Sequence, residues 1–125
     1  MSNQDIAAAV RQSIEALNRQ DYETFGAMVA DDIVWHVIGS SEPIRGKAAM
    51  TQGLGGGGGD FTITVELHDV TASNDHVVAL VKAHATRGDA VLDYNTAEIF
   101  HVRDGKISER WAFSDDTARI TAFFA

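Results

Sequence analysis

The sequence contains no cysteine and a single proline, Pro43. Without cysteine there are no disulfides, no thiolate metal ligands and no thiol nucleophile. Basic residues are also scarce: ten Lys and Arg stand against 18 Asp and Glu, a formal net charge of −8 at pH 7. Nucleic-acid binding needs a basic patch to neutralise phosphates, so that class of partner is not expected, and the same balance gives no affinity for an anionic membrane surface. No apolar run approaches the roughly 20 residues of a membrane helix. The N-terminal stretch lacks the basic and apolar regions of a secretory signal, which leaves the cytoplasm as the default expected location. The five histidines show no HxH or HExxH spacing, so a metal site is not expected.

What is present reads as one domain, residues 1–125, with ordinary globular composition: 45% hydrophobic and 22% charged, long enough for a real core. Ile6, Val10, Ile14 and Leu17 recur at helical spacing over residues 3–18, with Ser2 and Asp5 as a capping pair. A second helix carries Tyr22, Phe25, Met28 and Val29 on one face, and Ala30-Asp31-Asp32 breaks it. A dense β-prone run at 33–38 centres on Trp35, a loop spans 39–46, and 47–52 reads as a short helix. Strands are expected at 61–67, 77–86, 92–102 and 106–113, followed by a helix at 115–124. Helices followed by a run of strands indicate an α+β class.

The five glycines Gly55 to Gly59 invite comparison with a phosphate-gripping loop. Such loops lie between a strand and a helix N-terminus. Here the order is helix, glycines, strand, and no Gly-Lys-Ser/Thr follows. The run reads as slack between two elements, and no cofactor is expected.

The stretches ALNRQDYETFGAMVADDIVWHVIGSSEPIRGKAAM, VELHDVTASNDHVVALVKAHA and EIFHVRDGKISERWAFSDD together resemble the SnoaL-like and ketosteroid-isomerase-like branch of the nuclear transport factor 2-like superfamily, over nearly the whole chain. The resemblance implies a cone-shaped α+β barrel, in which a curved mixed sheet wraps a long N-terminal helix and opens into an apolar pocket. It also implies a choice among isomerases, polyketide cyclases, epoxide hydrolases and binding proteins, since this fold hosts many chemistries. The known acid–base residues carry over badly. The isomerase general base aligns with Val37 and its oxyanion-hole tyrosine with a position near Ser13; only its protonated carboxylic acid has a counterpart, Glu98. The epoxide hydrolase aspartate aligns with Ala112. Neither activity is expected in its known form.

The last hairpin, read with Arg103-Asp104-Gly105 as a three-residue loop, pairs Val102 with Lys106, Phe100 with Ser108 and Glu98 with Arg110. Alternation then separates Thr96, Glu98, Phe100, Val102, Ser108, Arg110, Ala112 and Ser114 from Asn95, Ala97, Ile99, His101, Ile107, Glu109, Trp111 and Phe113. The resemblance implies that the first set faces into the cone. Apolar Ala97, Ile99, Trp111 and Phe113 on the convex face are expected to make a homodimer.

Candidate catalytic residues are Glu98, Arg110 and His36. Glu98 and Arg110 form either a catalytic pair or a structural ion pair of the pocket wall. His36 suits proton transfer, but strict alternation with Val37 turns it away from the pocket unless a bulge intervenes. Candidate ligand-binding residues are Trp35, Phe25, Phe100, His84 and Tyr94. Trp35 and Phe25 also read as plain core, and His84 as a satisfied core or surface histidine. Two kinds of function follow for an apolar small molecule: cofactor-free acid–base chemistry on a carbonyl compound, or ligand binding without turnover. A dimeric scaffold with a filled pocket is a third.

Overall fold

The computed structural model describes residues 2–51 and 61–124. Helix α1, Asn3–Asn18, starts in a capping box: the Ser2 hydroxyl accepts the Asp5 N–H and the Asp5 carboxylate accepts the Ser2 N–H, each at 3.1 Å. It buries Val10, Ser13, Ile14 and Ala16. Asp21 caps α2, Tyr22–Ala27, which buries Phe25. Strands β1 (Val29–Trp35) and β2 (Ile44–Arg45) and helix α3 (Lys47–Thr51) come next. Then follow β3 (Phe61–Ala72), β4 (His76–Arg87), β5 (Ala90–Arg103), β6 (Lys106–Ser114) and helix α4 (Thr117–Phe124). Gly55 to Gly59 lie outside the described residues.

The six strands form one curved sheet in the order β2-β1-β6-β5-β4-β3, antiparallel except for β1 beside β6. This mixed, unclosed sheet with a helix packed across β3 and β4 is the expected α+β architecture. Period-two burial marks its two faces. Along β4, Val77, Ala79, Val81, Ala83 and Ala85 are buried, whereas His76, Leu80, Lys82 and His84 are exposed. The concave side packs a main core around Val10, Ile33, Met50 and Phe100. A smaller cluster, Ala85, Leu92 and Ile120, gathers Ile38, Tyr94, Phe123 and Phe124.

Three sequence expectations need correction. The first strand begins at Val29, not at residue 33. Val29 pairs with Ile107, and an irregularity between Val29 and Val34 lets Asp31 and Asp32 stand exposed within the strand. Asp32 there meets Arg103 at 2.7 Å. The strand after the glycines continues through His68 to Ala72, because a bulge between Leu67 and Asp69 carries it over the polar stretch.

The third correction concerns the last hairpin. Arg103 pairs with Lys106, and the loop is Asp104-Gly105 alone, with φ of 53° and 77°. Both residues are left-handed, the geometry of the tight Asp-Gly turn that matches strand twist. A bulge then inserts Ser108, so that His101 pairs with Glu109, Phe100 with Arg110 and Glu98 with Ala112. The two-residue turn puts Ile107 opposite Val102 and into the core, at 2% exposure, and not onto the outer face. The bulge restores the expected alternation beyond it, so Arg110 still faces inward.

Candidate functional site

Arg110 reaches the concave side from the middle of β6 and is 8% exposed. A guanidinium so placed needs partners for its charge and its N–H groups. Its Nε and Nη2 donate to Glu98 Oε1 at 3.1 and 3.0 Å, and its Nη1 donates to the His36 carbonyl at 2.9 Å. The guanidinium also lies over the Trp35 ring, 4.3 Å from its centroid, a cation–π contact in a mostly desolvated place. On Glu98, the other oxygen, Oε2, accepts the Thr96 hydroxyl at 3.2 Å. Three of the five guanidinium N–H groups are thereby used, and two have no partner among the described residues.

These groups border an open, mainly apolar cleft of about 530 Å³. Trp35, Tyr94 and Arg110 form its inner end. Val37, Ile38, Phe61, Ile63, Ile120 and Phe124 form its walls, and Gly39, Ser40 and Thr121 its rim. Burial pushes the Tyr94 phenol above its usual acidity range; the neighbouring Glu98 charge adds to this and Arg110 opposes it. Tyr94 is thus a protonated hydroxyl beside the ion pair at neutral pH. One cationic fork and one phenol at the end of an apolar cavity are suited to hold an oxygen of an otherwise apolar molecule.

The structure brings Glu98, Arg110, Trp35 and Tyr94 together. It does not bring the His36 side chain to them. The His36 ring lies on the convex face, with Nε2 2.7 Å from Glu109 Oε2, and stacks on Trp111 with centroids 5.2 Å apart at 6°. The bulge that would have turned it inward is absent at that point: Trp35 pairs with Arg110, and His36 N–H donates to the Arg110 carbonyl at 2.9 Å. His84 is exposed, its Nδ1 2.7 Å from Asp93 Oδ1, and lines a second groove with Thr64, Glu66, Lys82 and Asn95 that shares only Tyr94 with the cleft. Phe25 and Phe100, at 4% and 1% exposure, lie behind the cleft wall, Phe25 edge-on to Trp35. Val37, where the resemblance puts an isomerase base, lines the cleft as an apolar side chain, and Ser13 is buried with its hydroxyl on the Val10 carbonyl.

Sequence reasoning missed the walls: Phe61, Ile63, Ile120 and Phe124. The helical spacing of Ile120 with Phe123 and Phe124 was the available signal for α4. Among the described residues no group of three or more His, Asp or Glu is arranged to hold a metal ion, and no helix is long and apolar enough to cross a membrane.

A curved, unclosed mixed sheet with the N-terminal helix packed across it defines an α+β class of fold. The chain belongs to the SnoaL-like domain family, which it matches over residues 10–110. An uncharacterised protein of Mycobacterium tuberculosis is 30% identical over 122 residues, covering 93% of each chain. Among solved structures, Bal32a from a soil-derived mobile gene cassette has a TM-score of 0.91 at 24% identity, covering 98% of each chain. An LEH-like epoxide hydrolase of M. tuberculosis has a TM-score of 0.80 at 25% identity, covering 90% of this chain and 84% of the other.

Proposed function

We propose that the cleft binds an apolar small molecule with its carbonyl oxygen against Arg110 and Tyr94, and that the protein performs cofactor-free acid–base chemistry on it, of isomerase, cyclase or hydrolase type. The observation that carries this reading is the Arg110 guanidinium, buried on Trp35 with two N–H groups that have no partner among the described residues, at the end of an apolar cleft. Donors fixed in a dry site stabilise negative charge that develops on an oxygen. Glu98 orients Arg110, and its Oε2, engaged by Thr96 alone among the described residues, is the oxygen with capacity left for a proton. The epoxide hydrolase likeness supports a small-molecule reaction in this fold.

A second reading, capture without turnover, has its own support: Glu98 sits behind Arg110 and is not part of the cleft lining, and Val37 offers no proton acceptor. Calorimetric titration with a size series of ketones and lactones, each against its parent hydrocarbon, tests both. The carbonyl compounds are expected to bind more tightly, and Arg110→Met to erase that preference. Equal binding of ketone and hydrocarbon by the wild type would sink the role given to Arg110. Deuterium exchange beside the bound carbonyl in heavy water then separates the readings: acceleration supports the enzyme, tight binding without exchange supports capture.

A further inference from the structure

We propose that His36 is a positioning residue for Arg110, acting through the sheet from the convex face. The tripeptide Glu109-Arg110-Trp111 grips this one residue from both sides. Outward, the Glu109 carboxylate holds His36 Nε2 at 2.7 Å and the Trp111 ring stacks on the imidazole. In the backbone, His36 N–H donates to the Arg110 carbonyl at 2.9 Å. Inward, the His36 carbonyl accepts the Arg110 Nη1 N–H at 2.9 Å.

The location makes this grip consequential. β1 ends at Trp35, and the chain then turns through Gly39 at φ 81°. The β1–β6 register reaches Trp35 and Arg110 and goes no further, so His36 is the first residue past regular pairing, where ladders fray. The carbonyl that receives a guanidinium N–H is therefore held by the outer side chain of its own residue. A binding group is only as well placed as the shell that supports it. His101 approaches the same two residues, 3.9 Å from Glu109 and edge-on to Trp111, and His76 packs on His101. In the sheet His101 pairs with Glu109 and His76 with His101, whereas Arg110 pairs with Phe100.

The significance for ligand binding rests on the reading of the cleft above; the positioning itself does not, and it is measured without ligand. In the free protein, the Arg110 Nε–Hε resonance, assigned by its loss in Arg110→Met, is expected to exchange slowly with water. His36→Ala is expected to speed that exchange about two- to thirtyfold, the range for coupling through a packed network. Glu109→Ala should do the same, with the double variant adding little. His36→Gln, whose amide can still donate to Glu109, should return the rate toward wild type. If His36→Ala does not fold, His36→Phe, which keeps the stack and loses the Glu109 bond, takes its place.

Unchanged exchange in His36→Ala with a lowered melting temperature would mean that the ring only packs, and would overturn the proposal. Equal acceleration in His101→Ala would also overturn it, as general loosening. Ketone affinity that fails to follow the exchange rates would instead count against Arg110 as the ligand's anchor and leave the positioning intact.

Discussion

Glu98 and Arg110 meet on the diagonal of their hairpin. Glu98 stands opposite Ala112 and Arg110 opposite Phe100, yet two guanidinium nitrogens lie 3.1 and 3.0 Å from one Glu98 oxygen. Diagonal neighbours are within reach of long side chains, and an arginine can span the extra distance where a direct pair of short residues could not. The Arg110 and Glu98 side chains are 10% and 15% exposed, so the pair is largely desolvated.

Removing one partner should therefore cost far more than removing both. Arg110→Met is expected to destabilise the fold by about 3–5 kcal/mol, the range for stranding a buried charge. Adding Glu98→Gln should return most of that loss. Urea unfolding of the four proteins of the cycle checks this, and a coupling below about 0.5 kcal/mol would show that the two do not interact.

Tyr94 predicts a pH effect at the alkaline end. Its pKa in the folded protein is raised above the ordinary 10.0, chiefly by burial. Above pH 10 the unfolded chain loses this proton while the folded chain keeps it, so the unfolded state binds fewer protons and stability falls with rising pH. The contribution is intact below pH 10 and lost on rising through the folded value. Tyr94→Phe is expected to flatten the stability curve between roughly pH 9.5 and 11. A curve of unchanged slope would place the phenol in open water.

The convex face carries the prediction of a homodimer. Ala97, Ile99 and Trp111 are partly exposed there, Phe113 is 59% exposed, and Leu80 beside them is 40% exposed. Phe113→Glu is expected to give monomers in sedimentation equilibrium where the wild type is dimeric. A stable dimer needs on the order of 1,600 Å² of buried surface, and a wild type that stays monomeric at about 100 μM would rule this face out as such an interface.

Gly39 on the cleft rim combines a φ of 81° with a close neighbour: a Cβ there would lie 2.4 Å from the Thr121 hydroxyl of α4. Gly39→Ala should therefore cost more than the left-handed backbone alone, which is about 1–2 kcal/mol. In a Thr121→Ala background the excess should vanish and the backbone cost remain. Equal losses in both backgrounds, read from thermal melts, would show that α4 yields freely.

Much of the architecture was legible because its signals are local. Ile6, Val10, Ile14 and Leu17 announce α1, and alternation along β4 and β5 sorts buried from exposed side chains. Arg110 was assigned to the inner side correctly, although the pairs used to assign it were off register. The insertion of Ser108 shifted the partners without changing which side Arg110 faces, and nothing in the composition of Lys106-Ile107-Ser108 marks a bulge. The start of β1 was hidden for a different reason: Asp31 and Asp32 look like a break, and only pairing with β6, distant in sequence, makes them strand. The walls of the cleft were the least legible, since Phe61 and Phe124 come together edge-on at 5.0 Å from opposite ends of the fold.

The end of α1 touches the outermost strand in one polar contact: Asn18 Oδ1 accepts the Val65 N–H at 2.9 Å. That N–H points away from the sheet, where the next strand of another molecule would dock. With it occupied by a side chain, and with the strand bent by the bulge after Leu67, the free rim of β3 is a poor template for adding copies edge to edge. A single asparagine at a helix terminus thus takes up one of the edge N–H groups that an added strand would need.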